Sequence, residues 1–318
     1  MTRTFLIDTD TASDDAVALI MAMRAPDIDI AAITTVAGNV NVRQAATNAL
    51  YTAQICGKDI PVYIGADKPL MRPHLDASWF HGQDGMGEMN YPTPLRKPEK
   101  KHAVDAIIET IEANPGLVLV TLGPLTNIAM AVVQRPEIAA KISRCIIMGG
   151  NPCCVGNVTP AAEYNIWVDP EAAKMVFRSG LPIEMVGWHV SRDEAVWSEA
   201  DIQQVLALGT AQAKFAVECN RIARRAFKTQ TGQDGISLPD PTAMAIALNK
   251  SVGTSWSQHA VEIETLSELT RGMTVVDQLN LAHDGNNKTV WAEQKHKADI
   301  CWTLDTTAFK RMLIAALS

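Results

Sequence analysis

Short apolar runs alternate with longer segments of helical periodicity along the first part of the chain. The runs predict strands at Thr4–Ile7, Ile28–Thr35, Val62–Ile64, Leu117–Leu122, Ser143–Met148 and Ile183–Val186. The segments between them predict helices at Asp14–Arg24, Arg43–Ile55, His102–Glu112, Leu125–Val133 and Pro170–Arg178. Because the runs are continuously apolar, both faces of the sheet are expected to be covered. The pattern predicts an α/β fold with a mainly parallel, twisted central sheet and helices on both faces.

The C-terminal part is predicted to be rich in helices. We expect helices at Ala200–Leu208, Thr210–Phe227, Pro241–Asn249 and Thr306–Leu317, and strands at Val261–Glu264, Met273–Asp277 and Thr289–Trp291. No stretch has the composition of a linker, so residues 1–318 are expected to form a single domain. The longest irregular segment is Pro69–Pro98. A loop of that length is usually functional, often a lid, and a surface insertion is the alternative.

The amino-acid composition limits which kinds of binding partner the protein is expected to have. The hydrophobic fraction of 47% and mean hydropathy of +0.02 are typical of a globular protein with a sizeable core. A net charge of −7 and the lack of a long Lys/Arg block argue against a nucleic-acid partner. No apolar stretch is long enough to cross a bilayer, so no membrane partner is expected. Six scattered cysteines without paired spacing indicate free thiols and a cytoplasmic location.

Four aspartates lie within eight residues at the end of the first predicted strand: Asp8, Asp10, Asp14 and Asp15. An acidic helix N-terminus, favoured by the helix dipole, explains one or two of them but not four. So much like charge in one turn is self-repelling unless a cation lies among the carboxylates. A hard divalent cation tolerates several carboxylates at once. Two carboxylates on a metal and a third beside a bound water would form a hydrolytic centre.

Polar and glycine-rich motifs follow other predicted strands. They are Gly38-Asn39, Leu122-Gly123-Pro124 and Met148-Gly149-Gly150. Since the carboxyl ends of parallel strands meet at one edge of a sheet, where α/β folds bind ligands, these motifs should converge with the aspartates.

Together these segments resemble the signature of the nucleoside N-ribohydrolases, the inosine-uridine-preferring nucleoside hydrolase family. The matching blocks are Asp8–Asp15, Val36–Asn39, Leu122–Asn127, Met148–Gly150, and Gly156–Asn165 running into Asp169–Ala173. Each block alone is weak evidence for the resemblance, because glycine and asparagine are common in loops. Five blocks in the family's order, across roughly two thirds of the chain, are strong evidence for it.

The resemblance implies Ca²⁺-dependent hydrolysis of the N-glycosidic bond of a small-molecule ribonucleoside. Asp10, Asp15, the backbone carbonyl of Leu122 and the carboxylate of Asp240 are similar to the family's metal ligands. Asp14 resembles the general base that takes a proton from the metal-bound water. Asp8 is expected to support the ligands from behind. A homodimer or homotetramer is the expected assembly.

The resemblance also implies how the sugar is held. Asn39, Asn157, Glu163 and Asn165 are similar to the residues that bind the ribose hydroxyls, and Met148 to an apolar contact beneath the sugar. Unpaired buried polar groups are costly, so 2′-deoxy substrates should be strongly rejected. Water is expected to attack C1′ through an oxocarbenium-like transition state.

One position departs from the family pattern. The best-studied members carry a histidine directly before the fourth metal aspartate, as the acid for the leaving base, and here Pro239 stands there. Base release then relies on stacking, with Trp79 and Trp188 as candidates, or on His81 in a glycine-rich loop. A lone tryptophan is more often part of the core. We expect better activity on purine nucleosides or activated leaving groups than on uridine.

Two other functions stay open. A ribose- or nucleoside-binding protein with weak or lost catalysis would fit the missing histidine, although Asp14 would then have no use. An aspartate-nucleophile phosphatase also carries Asp-x-Asp after a strand. That motif normally has Thr or Val where Ala12 stands here, and the later Asn and Glu motifs would go unexplained.

Overall fold

A computed structural model describes residues 2–283, 291 and 294–318. Its strands are β1 Arg3–Thr9, β2 Ile28–Thr35, β3 Val62–Ile64, β4 Leu117–Thr121, β5 Ile142–Met148, β6 Ile183–Val186, β7 Val196–Trp197, β8 Ile236–Ser237, β9 Gly253–His259, β10 Val261–Ile263, β11 Thr274–Val276 and β12 Ala298–Leu304. Its helices are α1 Ser13–Arg24, α2 Val42–Ile55, α3 Ser78–His81, α4 Ala103–Ala113, α5 Thr126–Gln134, α6 Tyr164–Val168, α7 Pro170–Phe177, α8 Trp188–Glu194, α9 Glu199–Leu206, α10 Ala211–Glu218, α11 Arg221–Thr231, α12 Pro239–Leu248 and α13 Thr306–Leu317.

The centre of the fold is an eight-stranded sheet with the order β3-β2-β1-β4-β5-β6-β12-β9. Neighbouring strands from β3 to β12 pair in parallel, and β9 pairs antiparallel with β12 at one edge. The predicted α/β class with a mainly parallel sheet is therefore confirmed. Since β1 lies inside the sheet, the aspartates that follow it lie at the middle of the carboxyl edge.

Two apolar cores cover the two faces of this sheet. On β1, Phe5 and Ile7 pack into one core with α1, α2, α12 and α13. Leu6 points to the opposite face and packs with α4, α5 and α7. All three side chains are fully buried, which explains why the strand is continuously apolar rather than alternating.

In the C-terminal part, the strands predicted near residues 261 and 274 are confirmed, but other elements differ from the prediction. Strands β9 and β12 join the central sheet and were not predicted, whereas the predicted strands near residues 261 and 274 form a separate two-stranded sheet, β10 with β11. The helix predicted at Thr210–Phe227 is two helices, because the chain breaks at Cys219 and Asn220. The strand predicted at Thr289–Trp291 lies outside the described residues, apart from Trp291.

The described part of the chain also shows the character of its helices and the state of its cysteines. No helix there combines the length and apolarity needed to cross a membrane. All six cysteines are free thiols. Burial raises the pKa of the Cys145 and Cys219 thiols, so these two are unreactive members of the core.

Candidate active site

The carboxylates reach the site from two helix N-termini at the carboxyl edge of the sheet. Asp10 lies in the turn after β1, and Asp14 and Asp15 lie in the first turn of α1. Asp240 lies in the first turn of α12, which packs against α1. Pro239 occupies the first position of α12, where its missing amide hydrogen leaves no donor unsatisfied. The two helices thereby aim their first turns at one point.

Three of these carboxylates form a tight group. One oxygen from each of Asp14, Asp15 and Asp240 lies within 4.8 Å of the others. Asp15 is fixed by hydrogen bonds from Thr9 Oγ1 at 2.5 Å and from the Ala12 backbone N–H at 2.9 Å. The group contains the predicted base, Asp14, together with two of the predicted ligands.

Asp10 lies beside this group rather than in it. Its Oδ2 accepts a hydrogen bond from the Asn39 backbone N–H at 2.6 Å. Its Oδ1 is buried and has no hydrogen-bond partner among the described residues. A buried carboxylate oxygen without a partner is costly, and a cation is the ligand that would satisfy it.

Glycines make room for Asp10. A Cβ at Gly38 would lie 2.0 Å from Asp10 Oδ2, and a Cβ at Gly123 would lie 2.8 Å from Asp10 Oδ1. Any larger residue at either position would displace the carboxylate. The Gly38-Asn39 and Leu122-Gly123 motifs therefore act by permitting close approach.

The site concentrates negative charge in a buried place. Burial raises the pKa of Asp10 and Asp240, and the neighbouring carboxylates, Asp15 foremost, raise it further. Burial, aided by the charge of Asp15, raises the pKa of Asp14 to about 7, and burial does the same for Asp8. In the described part of the chain no Lys or Arg pairs with any of these groups. The donor set is all oxygen, is anionic and lacks a counter-charge, so it fits a hard divalent cation.

Asp8 lies on β1 behind this group. Its Oδ1 accepts hydrogen bonds from Thr34 Oγ1 at 2.5 Å and from Asn127 Nδ2 at 2.8 Å. It does not line the cavity, which agrees with the supporting position expected from the sequence.

The predicted sugar-binding side chains are held in fixed orientations. Asn165 Nδ2 donates to the Leu122 carbonyl at 2.8 Å and to the Met148 carbonyl at 3.2 Å. The Glu163 carboxylate accepts from the Gly150 N–H at 2.8 Å and from the Asn165 N–H at 2.9 Å. Asn39 Nδ2 lies 3.3 Å from Asp15 Oδ2, which joins the sugar side to the carboxylates.

One cavity gathers the predicted residues. All eight predicted substrate contacts line it: Asn39, Trp79, His81, Met148, Asn157, Glu163, Asn165 and Trp188. Three residues of the predicted metal and base set line it as well: Asp14, Leu122 and Asp240. Asp10 and Asp15 are not among the lining residues. Residues from eight separate segments therefore converge, and four of these segments follow strand ends as the motifs predict.

Aromatic side chains also line the cavity. Trp188 is buried, whereas Trp79 is 53% exposed and packs edge-to-face against Phe80. His81 Nδ1 lies 2.8 Å from Ser13 Oγ and 3.9 Å from Asp14 Oδ1. Burial lowers the pKa of His81 to about 3, so its imidazole is neutral near pH 7. Pro239 lines the cavity as well.

Some lining residues were not predicted as site residues. Phe80, Tyr164, Asn220, Gln230 and Ser237 also face the cavity. Phe80 and Tyr164 adjoin predicted residues in sequence. Asn220 and Gln230 reach the site only because the chain breaks between α10 and α11, and helical periodicity continues across that break without a signal.

Comparisons with known proteins identify relatives of the whole chain. A family model described as "Inosine-uridine preferring nucleoside hydrolase" matches residues 5–311. The "Pyrimidine-specific ribonucleoside hydrolase RihA" of Shewanella sp. (strain MR-7) is 41% identical over 298 residues, 91% of each chain. The solved "Plant nucleoside hydrolase - PpNRh1 enzyme" is 31% identical with a TM-score of 0.94, covering 100% of this chain and 99% of that one. A "Purine-Preferring Ribonucleoside Hydrolase from Gardnerella vaginalis" is 28% identical with a TM-score of 0.88, covering 99% and 98%.

Proposed function

The chain belongs to the inosine-uridine preferring nucleoside hydrolase family and is a ribonucleoside hydrolase, and we propose that it works with a bound Ca²⁺ ion and Asp14 as general base. The observation that carries the proposal is the buried carboxylate group without a counter-charge, in which Asp10 Oδ1 has no partner among the described residues. The phosphatase alternative has no support in the family match.

Asp10, Asp15, Asp240 and the Leu122 carbonyl would hold the ion. This set of carboxylate and carbonyl oxygens, with room for ribose hydroxyls, suits the flexible coordination of Ca²⁺ better than the rigid octahedron of Mg²⁺. When bound, Ca²⁺ would lower the pKa of a coordinated water and bind the ribose hydroxyls.

We infer that Asp14 accepts the proton. It lines the cavity beside the carboxylates that would hold the ion, and burial with the charge of Asp15 raises its pKa above the usual carboxyl range. The attacking water forms a bond to C1′ as the bond from C1′ to the base nitrogen breaks. The water proton passes to Asp14, and the bonding electron pair leaves with the base.

The proposed sugar-binding residues would orient the ribose in the site. Asn39, Asn157, Glu163 and Asn165 present polar groups whose positions are fixed by hydrogen bonds within the protein. A substrate without the 2′-hydroxyl would leave some of them unpaired, so ribonucleosides are preferred over 2′-deoxynucleosides.

The base side lacks a charged acid. Pro239 donates no proton, and His81 is neutral, so stacking on Trp79 and Trp188 assists base release. Relatives include both a pyrimidine-specific and a purine-preferring enzyme, so family membership alone leaves the base open. The larger stacking surface of purines favours them over uridine here.

We also propose a cytoplasmic homodimer or homotetramer. The free thiols support a reducing compartment.

The test is a substrate panel measured with calcium and with chelator. It contains inosine, guanosine, adenosine, uridine, cytidine, nicotinamide riboside and p-nitrophenyl riboside, together with ribose binding. We expect turnover that chelation abolishes and Ca²⁺ restores. Turnover that survives thorough chelation would overturn the metal role. Tight ribose binding without turnover would favour the binding-protein alternative.

A further inference from the structure

Residues 74–81, which we call the aromatic loop, bring three side chains to the leaving-group side of the cavity. Trp79, Phe80 and His81 line the cavity, and the last four residues of the loop form the short helix α3. The sugar-binding residues come from other segments. The distance between the sugar and these rings therefore depends on the contacts that join the aromatic loop to the segments that carry the sugar-binding residues.

Three hydrogen bonds make that connection. His74 Nε2 donates to the Gly38 carbonyl at 2.7 Å, and the Ala77 N–H donates to the Asn39 carbonyl at 3.0 Å. On the other side of the loop, the Tyr164 hydroxyl donates to the Leu75 carbonyl at 3.0 Å. The first two bonds end on the strand-end motif beside Asp10, and the third joins the loop to the sugar-binding segment at Glu163–Asn165.

Tyr164 is held firmly from its own side. Its ring packs in a small apolar cluster, separate from both main cores, that contains Ala77, Phe80, Val158, Trp167 and Val168. Its backbone N–H donates to Asn157 Oδ1 at 2.8 Å. Its side chain lines the cavity and is 8% exposed. Tyr164 thus touches the sugar-binding residues through its backbone and the aromatic loop through its hydroxyl.

We propose that Tyr164 is a positioning residue whose hydroxyl couples ribose binding to the placement of the aromatic loop against the leaving base. This inference rests on the proposed function, because it assigns the sugar to Asn157, Glu163 and Asn165. Bound ribose restricts the motion of those residues and of the Tyr164 backbone between them. Because the Tyr164 hydroxyl bonds the Leu75 carbonyl, the motion of the aromatic loop is restricted as well. Without the hydroxyl, the Ala77 N–H still bonds the carbonyl of Asn39, which is itself a proposed ribose contact, so the coupling is lost on the Glu163–Asn165 side and is weakened overall.

The test compares Tyr164→Phe with Tyr91→Phe as a matched control. The Tyr91 hydroxyl is buried without a hydrogen-bond partner in the described chain and does not line the cavity, so its removal breaks no bond. With Tyr164→Phe, kcat on inosine should fall about three- to tenfold, the effect of one ordinary hydrogen bond. On p-nitrophenyl riboside kcat should change less than about twofold, because an activated leaving group needs no help from the loop. Equal losses on both substrates, or no loss on either, would overturn the proposal.

Hydrogen exchange gives a readout that does not depend on turnover. In the wild type and in Tyr91→Phe, saturating ribose with Ca²⁺ should slow amide exchange in residues 74–82 and leave helix α4 unchanged. In Tyr164→Phe this protection should be clearly reduced, and the part carried by the hydrogen bond from Ala77 to Asn39 should remain. If ribose protected the amides of Tyr164→Phe from exchange as strongly as those of the wild type, the proposed coupling would be wrong. A wild type that shows ribose protection but hydrolyses no nucleoside would count against the proposed function alone.

Discussion

Removing calcium should make the stability of this protein fall as the pH rises toward 7. Burial raises the pKa of Asp8 and of Glu163 from ordinary values to about 7. In the unfolded chain both groups are already ionised at pH 5.5. The folded state then binds more protons than the unfolded state, so stability is highest at low pH and is lost as pH rises through the folded pKa.

The size of the effect follows from the interval between pH 5.5 and 7. One pH unit over which a group is protonated only in the folded state corresponds to about 1.4 kcal/mol. Because a group with a folded pKa of about 7 is already half ionised at pH 7, each group costs about 1.6 kcal/mol over this interval. The two together cost about 3 kcal/mol, or roughly 10 °C in Tm at about 2–4 °C per kcal/mol. Asp10, Asp15 and Asp240 have pKa values raised in the same direction and add to this loss.

Thermal unfolding with EDTA, CaCl₂ or MgCl₂ at matched ionic strength is the assay. The chelated protein should have a Tm roughly 10 °C lower at pH 7 than at pH 5.5. Calcium should stabilise more at pH 7, where protons no longer compete for the carboxylates, and the Asp10→Asn variant should lose most of that gain. A chelated protein as stable at pH 7 as at pH 5.5, or a calcium effect independent of pH, would refute the reasoning.

The remaining predictions concern catalysis. The Asp14→Ala variant should keep its calcium-dependent Tm shift and ribose binding while kcat falls about 10²–10⁴-fold, and a near-normal kcat would remove the role of base. Gly38→Ala should lose both activity and calcium stabilisation, because its Cβ would lie 2.0 Å from Asp10 Oδ2. Gly57→Ala meets no atom within 4 Å, so it should retain both, although its φ of +63° strains an alanine and should lower the overall Tm. 2′-Deoxyinosine should be hydrolysed at least about 10²-fold less efficiently than inosine, and comparable kcat/KM values would contradict the hydroxyl contacts. Inosine should be hydrolysed faster than uridine, and the reverse order would make His81 the favoured acid.

The central fold was predictable because its strands are buried on both faces. In β1, Phe5, Leu6 and Ile7 each serve a core, so the apolar run marks the strand directly. A parallel sheet then brings Asp10 and Asn39, which follow neighbouring strands, to one edge whatever the connecting helices do.

Two of the features that were missed have no such mark in the sequence. Strand β9, Gly253–His259, is an edge strand with mostly exposed or half-exposed residues, so its apolar content is low. The break at Asn220 interrupts no periodicity, yet it aims α11 at the cavity. Both features are decided by tertiary packing, which a local pattern does not contain.

Pro239 changes the base side of the site while preserving its metal side. As the first residue of α12 it starts the helix cleanly and keeps Asp240 aimed at the carboxylate group. The departing base therefore meets an apolar wall where other family members place an imidazole. His81 is the one imidazole among the cavity-lining residues that the structure describes, and burial lowers its pKa to about 3, so the ring is neutral at neutral pH. If Trp79 and Trp188 contact the base as proposed, the ratio of rates should follow stacking area more closely than the basicity of the leaving group.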